Sequence, residues 1–551
     1  SPFIDIDYSQ GQGDLCSITQ DVWVSPNGND DDNLGTSASD PFLTIGHALQ
    51  MIAPEDDNPI NIYLAEGIFS PSETNETFPI IMLPNVNLIG EGEEKTTLDA
   101  EETEAVLGFI DNSSSSIADF TIINGLGSVG GGIIMERAAP NITNIHIEDN
   151  VGPAAGGIYM YFSAPILRNV TVQNNNNRGI YLFKSSPQLY NCLITQNESY
   201  GNTNLANGGG ILTFYSHLTM IGGEISYNTS GNKGAGMQFV DSDGLLSGVK
   251  IHHNSGGLEE TWCHGGGGIN LENSSPTIVD TEIYNNHACA GMTSYCSGGG
   301  IRWKHGKGSP ILINVLVRDN TANHDAGLWL DSPTLINCTI IDNSSTVQVG
   351  FGGSALIKNS IIRKGSSGGV IEGNADVSYS NISGDYSGTG NTSSDPGFDS
   401  NYGATSSSCV NAGDPNIWYN EEDGSRSDMG WTGGSYFYTT FNDILLLPVD
   451  VYNFGTVGGM GSLANWRLYN FRESDITIDN ISFGTSSFSS DVSSLTISPH
   501  NTGLIPISAN NGAGSDVSDF MSISSGQLAN GTGINLSMNY THLNYALNGG
   551  L

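Results

Sequence analysis

Arg302, Lys304 and His305 crowd into the stretch GGGIRWKHGKG (298–308) of a chain with 57 acidic and 17 basic residues. Three roles fit residues of these types. In a β-elimination, Arg302 or a bound Ca²⁺ ion neutralises the carboxylate of a uronate while Lys304, His305 or Tyr295 removes the neighbouring proton. In a glycosidic hydrolysis, Glu272 and Asp331 serve as the two carboxyl groups, two repeats and roughly 10 Å apart. In the third role Arg302 and Lys304 only pair with Glu272 and Asp331 on adjoining strands, as charges on a sheet ordinarily do. The third asks least of the sequence and is the reading adopted, with the lyase as the principal alternative.

These residues are positioned by a repeat. The segments NIHIEDN (144–150), NVTVQNN (169–175), NCLITQN (191–197), GVKIHHN (248–254), DTEIYNN (280–286), NVLVRDN (314–320) and NCTIIDN (337–343) share one frame that ends on Asn. Asn124 and Asn228 extend the set. Each tail is followed by a glycine-rich head such as GGGIIM, AGGIYM, GGGINL, GGGIRW or DAGLWL. Heads recur roughly every 22 to 32 residues, with short β-runs, tight turns and no helical period, which describes one coil of a β-solenoid. Stacked coils place like residues above one another, so the tail Asn residues form a ladder of side-chain amides.

Alternation sends Ile301 and Trp303 inward and Arg302 and Lys304 outward. The same outward positions in other heads carry Tyr159, Tyr161, Tyr181, Phe183 and Phe214, then Asn270 and Glu272, then Trp329 and Asp331. A line of exposed aromatic residues suits the faces of sugar rings in an extended polysaccharide, or contact with a second copy or another surface protein. The longest insertions fall between tail and head and bring Trp262 towards Arg302. They also place Cys263 and Cys296 one coil apart, within disulfide reach, with Cys289 an alternative partner for either. Cys192 and Cys338 are five coils apart and are expected as buried thiols. His252 and His253 lie in one tail, where a surface role is expected.

Composition narrows the partners. A net charge of -40 argues against nucleic acid and anionic membranes. It suits an extracellular protein able to bind divalent cations, and Asp30, Asp31 and Asp32 in NGNDDDN are the candidate Ca²⁺ ligands, without EF-hand spacing. No apolar run has the length of a membrane span. The start SPFIDIDYSQ has neither Met nor a signal-like core and reads as a processed chain, so export is an expectation.

The GGxI heads and IxxN tails resemble secreted right-handed parallel β-helix proteins of the pectate-lyase-like superfamily, and also chlamydial polymorphic outer-membrane repeats. DVWVSPNGNDDDNLGTSASDPFLTIGHALQMI (21–52) and INIYLAEGIFS (60–70) are similar to the first coils of such proteins, with PFLTIGHALQMI as the capping helix. SSDPGF (393–398), SSSCVNAGDPN (406–416) and DGSRSDMGWTGG (423–434) resemble the closing segment called choice-of-anchor Q. VYNFGTV (451–457) and the strands after it resemble the choice-of-anchor D type of immunoglobulin-like sandwich. The resemblance implies an all-β chain: a right-handed parallel β-helix with an N-terminal helical cap over 1–435, then a small β-sandwich over 436–551. Because this superfamily mixes lyases, hydrolases, epimerases, adhesins and structural proteins, it implies no single activity. The function expected is that of a secreted or cell-surface structural or adhesive protein that contacts glycans.

Overall fold

The computed structural model describes residues 18–199, 207–257, 265–289, 297–306, 308–344, 347–363, 369–384, 386–415, 419, 421, 425–434, 451–456, 462–469, 475–498, 502–509, 517–524 and 533–539. Each coil contributes three short strands, here named head, middle and tail. In one coil they are Ile158–Tyr161, Ile166–Arg168 and Thr171–Gln173. Each pairs in parallel with its counterpart one coil on, Ile158 with Ile180, Ile166 with Gln188 and Thr171 with Leu193. Repetition joins 35 strands into one wound sheet. Parallel crossovers of this kind are right-handed, and the chain is the right-handed parallel β-helix that the resemblance implies.

The inside of each coil is filled by the alternate apolar residue of every strand. Ile158, Met160, Leu167 and Val172 are buried, as are Ile180, Leu182, Leu189 and Ile194 one coil on. The corner after each head turns through left-handed backbone, at Arg137, Phe162, Lys184, Tyr215, Asp241 and Asn273. Asn and Asp tolerate that conformation and ring-bearing residues rarely adopt it. Phe162 and Tyr215 therefore stand where the corner projects their side chains outward.

The asparagine ladder is present. Asn150, Asn175, Asn197, Asn228, Asn254, Asn286, Asn320 and Asn343 are fully buried, and each carboxamide oxygen accepts from the preceding rung. At Asn228 that oxygen takes both the backbone N–H of Asn197 at 3.0 Å and its side-chain amide at 3.1 Å. Asn124 is not a rung. It occupies the left-handed corner (φ 53°), and Gly125 takes the ladder place and donates to Asn150 Oδ1 at 2.8 Å. A second ladder runs where head meets middle strand, with Ser163, Ser185, Ser216, Ser242 and Ser274 each accepting the backbone N–H of the preceding coil.

The N-terminal opening is covered by the helix Ile45–Met51, capped by the Thr44 hydroxyl, which accepts from His47 N. The Asp30 and Glu76 carboxylates reinforce it: Asp30 Oδ1 accepts from Leu43 N at 2.7 Å and Glu76 Oε2 from Ile45 N at 2.6 Å. Buried acceptors at a helix start satisfy amides that no helical carbonyl reaches. Among the described residues no helix is long and apolar enough to cross a membrane.

The chain divides into two compact units, 1–414 with 428–433, and 415–427 with 434–551. The second holds a four-stranded sheet (Val451–Thr456, Gly533–Asn539, Val517–Ser524, Asn480–Phe483) and a three-stranded one (Ser462–Tyr469, Thr502–Ala509, Phe488–Ser489). Ile476, Ile478, Phe488, Ile505, Ile507 and Met521 form its core.

Candidate binding face and carboxyl cluster

The head strands stack into a flat face whose first outward column runs Tyr159, Tyr181, Leu212, Gln238, Asn270, Arg302, Trp329, Gly350 and Glu372 in unbroken pairing. The second column runs Tyr161, Phe183, Phe214, Val240 and Glu272. Beyond Glu272 the simple frame fails. It sets Lys304 beside Glu272, but an irregularity after Leu271 pairs Glu272 with His305 instead.

One half of the face is aromatic. Tyr159 and Tyr181 are stacked with centroids 5.6 Å apart, and Tyr161 and Phe183 at 5.5 Å. Burial pushes the Tyr159 hydroxyl up to about 12 and raises that of Tyr181. Rings stacked rung upon rung cover one another's faces, so this ladder offers mainly edges outward, and the expected platform for sugar faces is not formed by these four residues. The rings with open faces stand instead at the corner. Phe162 and Tyr215 are 46% and 57% exposed, and their rings stand at 72° and 83° to that of Phe183. Lys184 lies between them in the corner column, with Nζ 5.1 Å from the Phe162 ring centre. The two platforms are two strand spacings, about 10 Å, apart.

The other half is polar and more enclosed than an outward column implies. Glu272 Oε1 receives Lys233 Nζ at 3.2 Å and Gln238 Nε2 at 3.1 Å. Gln238 and Asn270 are buried, and the Gln238 carbonyl and both polar atoms of the Asn270 amide lack a hydrogen-bond partner among the described residues. The cause lies in the first head position, where Gly234 and Gly266 lie against the Cβ atoms of Gln238 and Asn270. Arg302 Nε donates to Ser297 Oγ at 3.3 Å. Trp329 is half-buried and its ring lies over Gly350, where a Cβ would stand 2.3 Å from Trp329 Cε3 and 2.7 Å from Asp325 Oδ1. Asp331 lies at the end of its head, its carboxylate beside Gly353.

Trp262, Tyr295, Cys263 and Cys296 lie outside the described residues, as do the side chains of Lys304 and His305. Cys289 is disulfide-bonded, while Cys192, Cys338 and Cys409 are free and buried. Asp30 spends its carboxylate on Leu43 and Thr44, Asp32 accepts from Asn29 Nδ2 at 3.0 Å, and Asp31 donates its N–H to Asn29 Oδ1. Among the described residues no three His, Cys, Asp or Glu side chains are grouped to hold a metal ion.

A separate cluster occupies the tail sheet. His252 Nε2 is 3.1 Å from Glu224 Oε1, its Nδ1 is 2.8 Å from His253 Nδ1, and its ring stacks on Tyr284 at 4.6 Å. Arg318 covers Tyr284 at 4.2 Å. His252 is buried, where a surface role was expected.

Sequence reasoning passed over Phe162, Tyr215, Lys233, Asp325 and Glu372. Two carried a signal: DAGLWL has Asp325 where GGGILT, GAGMQF, GGGINL and GGGIRW have Gly, and Glu372 follows GGVI (368–371), a GGxI head.

Residues 26–257 match a protein family of unknown function, DUF1565. No curated protein matches the chain. Among solved structures it is similar to a protein of unknown function from Porphyromonas gingivalis, at 13% identity and TM-score 0.16, covering 18% of this chain and 46% of that one. It thus spans under half the length of that relative. It is also similar to the mannuronan C-5 epimerase AlgE6 A-module of Azotobacter vinelandii, at 13% identity and TM-score 0.34, covering 60% of this chain and 92% of that one. A third likeness is to an alginate lyase from Paenibacillus sp., at 14% identity and TM-score 0.24, over 65% of this chain and 99% of that one.

Proposed function

We propose that this is an extracellular β-helix protein that holds an extended polysaccharide along its head face. The observation that carries this reading is the pair of exposed rings at the corner, Phe162 and Tyr215, turned across the aromatic ladder with Lys184 between them. Exposed apolar rings in a coil corner give up solvent contact favourably only when something covers them. Two flat apolar surfaces about 10 Å apart suit alternate rings of a linear sugar chain. The lysine and the ladder hydroxyls Tyr159 and Tyr161 supply polar contacts at the edges.

Affinity electrophoresis against a panel of neutral and uronic polysaccharides tests this. Retardation by at least one glycan is expected, with about a tenfold weaker interaction for Phe162→Ala and Tyr215→Ala, roughly 1–1.5 kcal/mol each. If no glycan retards the wild type, or if both variants run unchanged, the reading fails. Self-association lost on Tyr215→Ala without any glycan binding would assign the face to a second copy instead.

A further inference from the structure

Four coils enter the head strand through a glycine in left-handed backbone: Gly208, Gly234, Gly266 and Gly298, at φ 64°, 58°, 80° and 65°. A Cβ at each would lie 2.6 to 3.0 Å from the Cβ of the residue four positions on, Leu212, Gln238, Asn270 or Arg302. The next coil puts Asp325 there, at φ 42°, four residues before Trp329. The side chains find room because the following rung is Gly350, so Asp325 Oδ1 and the Trp329 ring occupy the space over that glycine. Asp325 is 1% exposed, and its Oδ1 has no hydrogen-bond partner among the described residues. A buried, unpartnered carboxyl costs stability, and such features persist where a site uses them. Glu372, which is exposed, pairs with Gly350 on the far side and completes a group of two carboxyls and an indole.

We propose that Asp325 is the proton donor and Glu372 the water-activating base of a glycoside-cleaving site at this end of the head face. This rests on the glycan-binding reading above, since Trp329 lies four coils, about 19 Å, along the same face from the Tyr215 coil. A sugar that displaces the Trp329 indole from its place over Gly350 brings its glycosidic oxygen to Asp325. As the bond from the anomeric carbon to that oxygen breaks, the Asp325 proton passes to the departing oxygen. The oxygen of a water molecule bonds to the anomeric carbon while Glu372 takes the water's proton, and the two carboxyls re-equilibrate through solvent. One water is consumed per bond, and no other reactant is needed. The protonation states agree: burial, and then the charge of Glu372, push the Asp325 carboxyl up to about 7.

The full chain, incubated with each glycan it retains, is assayed for new reducing ends and for the ultraviolet absorbance of an unsaturated uronate. Reducing ends without that absorbance are expected, lowered at least 100-fold in Asp325→Asn and in Glu372→Gln, with retention intact. Asn tolerates left-handed backbone, so Asp325→Asn keeps the fold. Carbon NMR of labelled Asp carboxyls should show one group titrating near pH 7 that vanishes in that variant. Retention without reducing ends overturns the cleavage site alone, as does an Asp325 carboxyl titrating in the ordinary range. Unsaturated products overturn it in favour of elimination, and no retention of any glycan overturns both readings.

Discussion

Tyr159 and Tyr181 lie within 5° of parallel with centroids 5.6 Å apart, so each covers the other's face. The pair belongs to the scaffold more than to a ligand. Tyr181→Ala should lower stability by about 2 kcal/mol, through lost ring burial and stacking, and leave glycan affinity within about twofold, under half a kcal/mol. Urea unfolding and affinity electrophoresis on the same variant check both halves. Weakened binding at unchanged stability would move Tyr181 into the binding surface.

Lys233 and Glu272 form an ion pair at 3.2 Å, with side chains 7% and 13% exposed. Removing one partner leaves a charge in a poorly solvated place. Lys233→Met should therefore cost about 3 kcal/mol, and adding Glu272→Gln to it should restore much of that loss. A double-mutant cycle by urea denaturation measures it. A Lys233→Met variant as stable as wild type would show Glu272 to be well solvated.

Asn228 makes the ladder's contribution measurable. Its oxygen accepts two bonds from Asn197 and its amide donates to Ile194 O and Asn254 Oδ1. Asn228→Ala strands buried donors and should cost about 3 kcal/mol. Asn124→Ala, outside the ladder but in left-handed backbone, should cost less, about 1–2 kcal/mol. Hydrogen exchange of neighbouring coils separates the two, and equal losses would remove the ladder's special weight.

His252 sets an acid sensitivity. Burial first, and then the charge of His253, lower its proton affinity against the attraction of Glu224. A histidine lowered in the folded chain contributes stability that is present above its unfolded value near 6.5 and lost as pH falls through its folded value. The Nδ1–Nδ1 contact at 2.8 Å needs a lone pair on one ring, so two imidazolium ions cannot keep it. The urea midpoint should fall as the pH drops below about 6.5, and fall less in His253→Asn. A midpoint that rises with acid over that range would reverse the sign.

Much of the fold was legible because a β-helix is local in its rules. The heads, the Asn tails and the alternate apolar residues repeat in sequence as they stack in space, so Asn150 to Asn343 could be read as one ladder. The frame slipped by one place at Asn124, where a left-handed corner and a rung are adjacent and both take Asn. It slipped again at Lys304, where the irregularity after Leu271 is a property of two strands in contact.

The sequence by itself determined the coil, its period and the column on which any surface chemistry must lie, because identical spacing forces like residues into register. Only the tertiary structure decided which of those residues are used. Ring orientation in Tyr159 and Phe162 depends on packing between coils, and burial of Asn270 depends on the backbone laid against it. The meeting of Asp325, Trp329 and Glu372 depends on three successive coils. Glu372 follows GGVI (368–371), which fits the GGxI frame of the heads, and the pairing of Gly350 with Glu372 sets it two rungs beyond Trp329. A carboxyl becomes an unusual acid through what surrounds it, and those surroundings are set by residues far away in the chain.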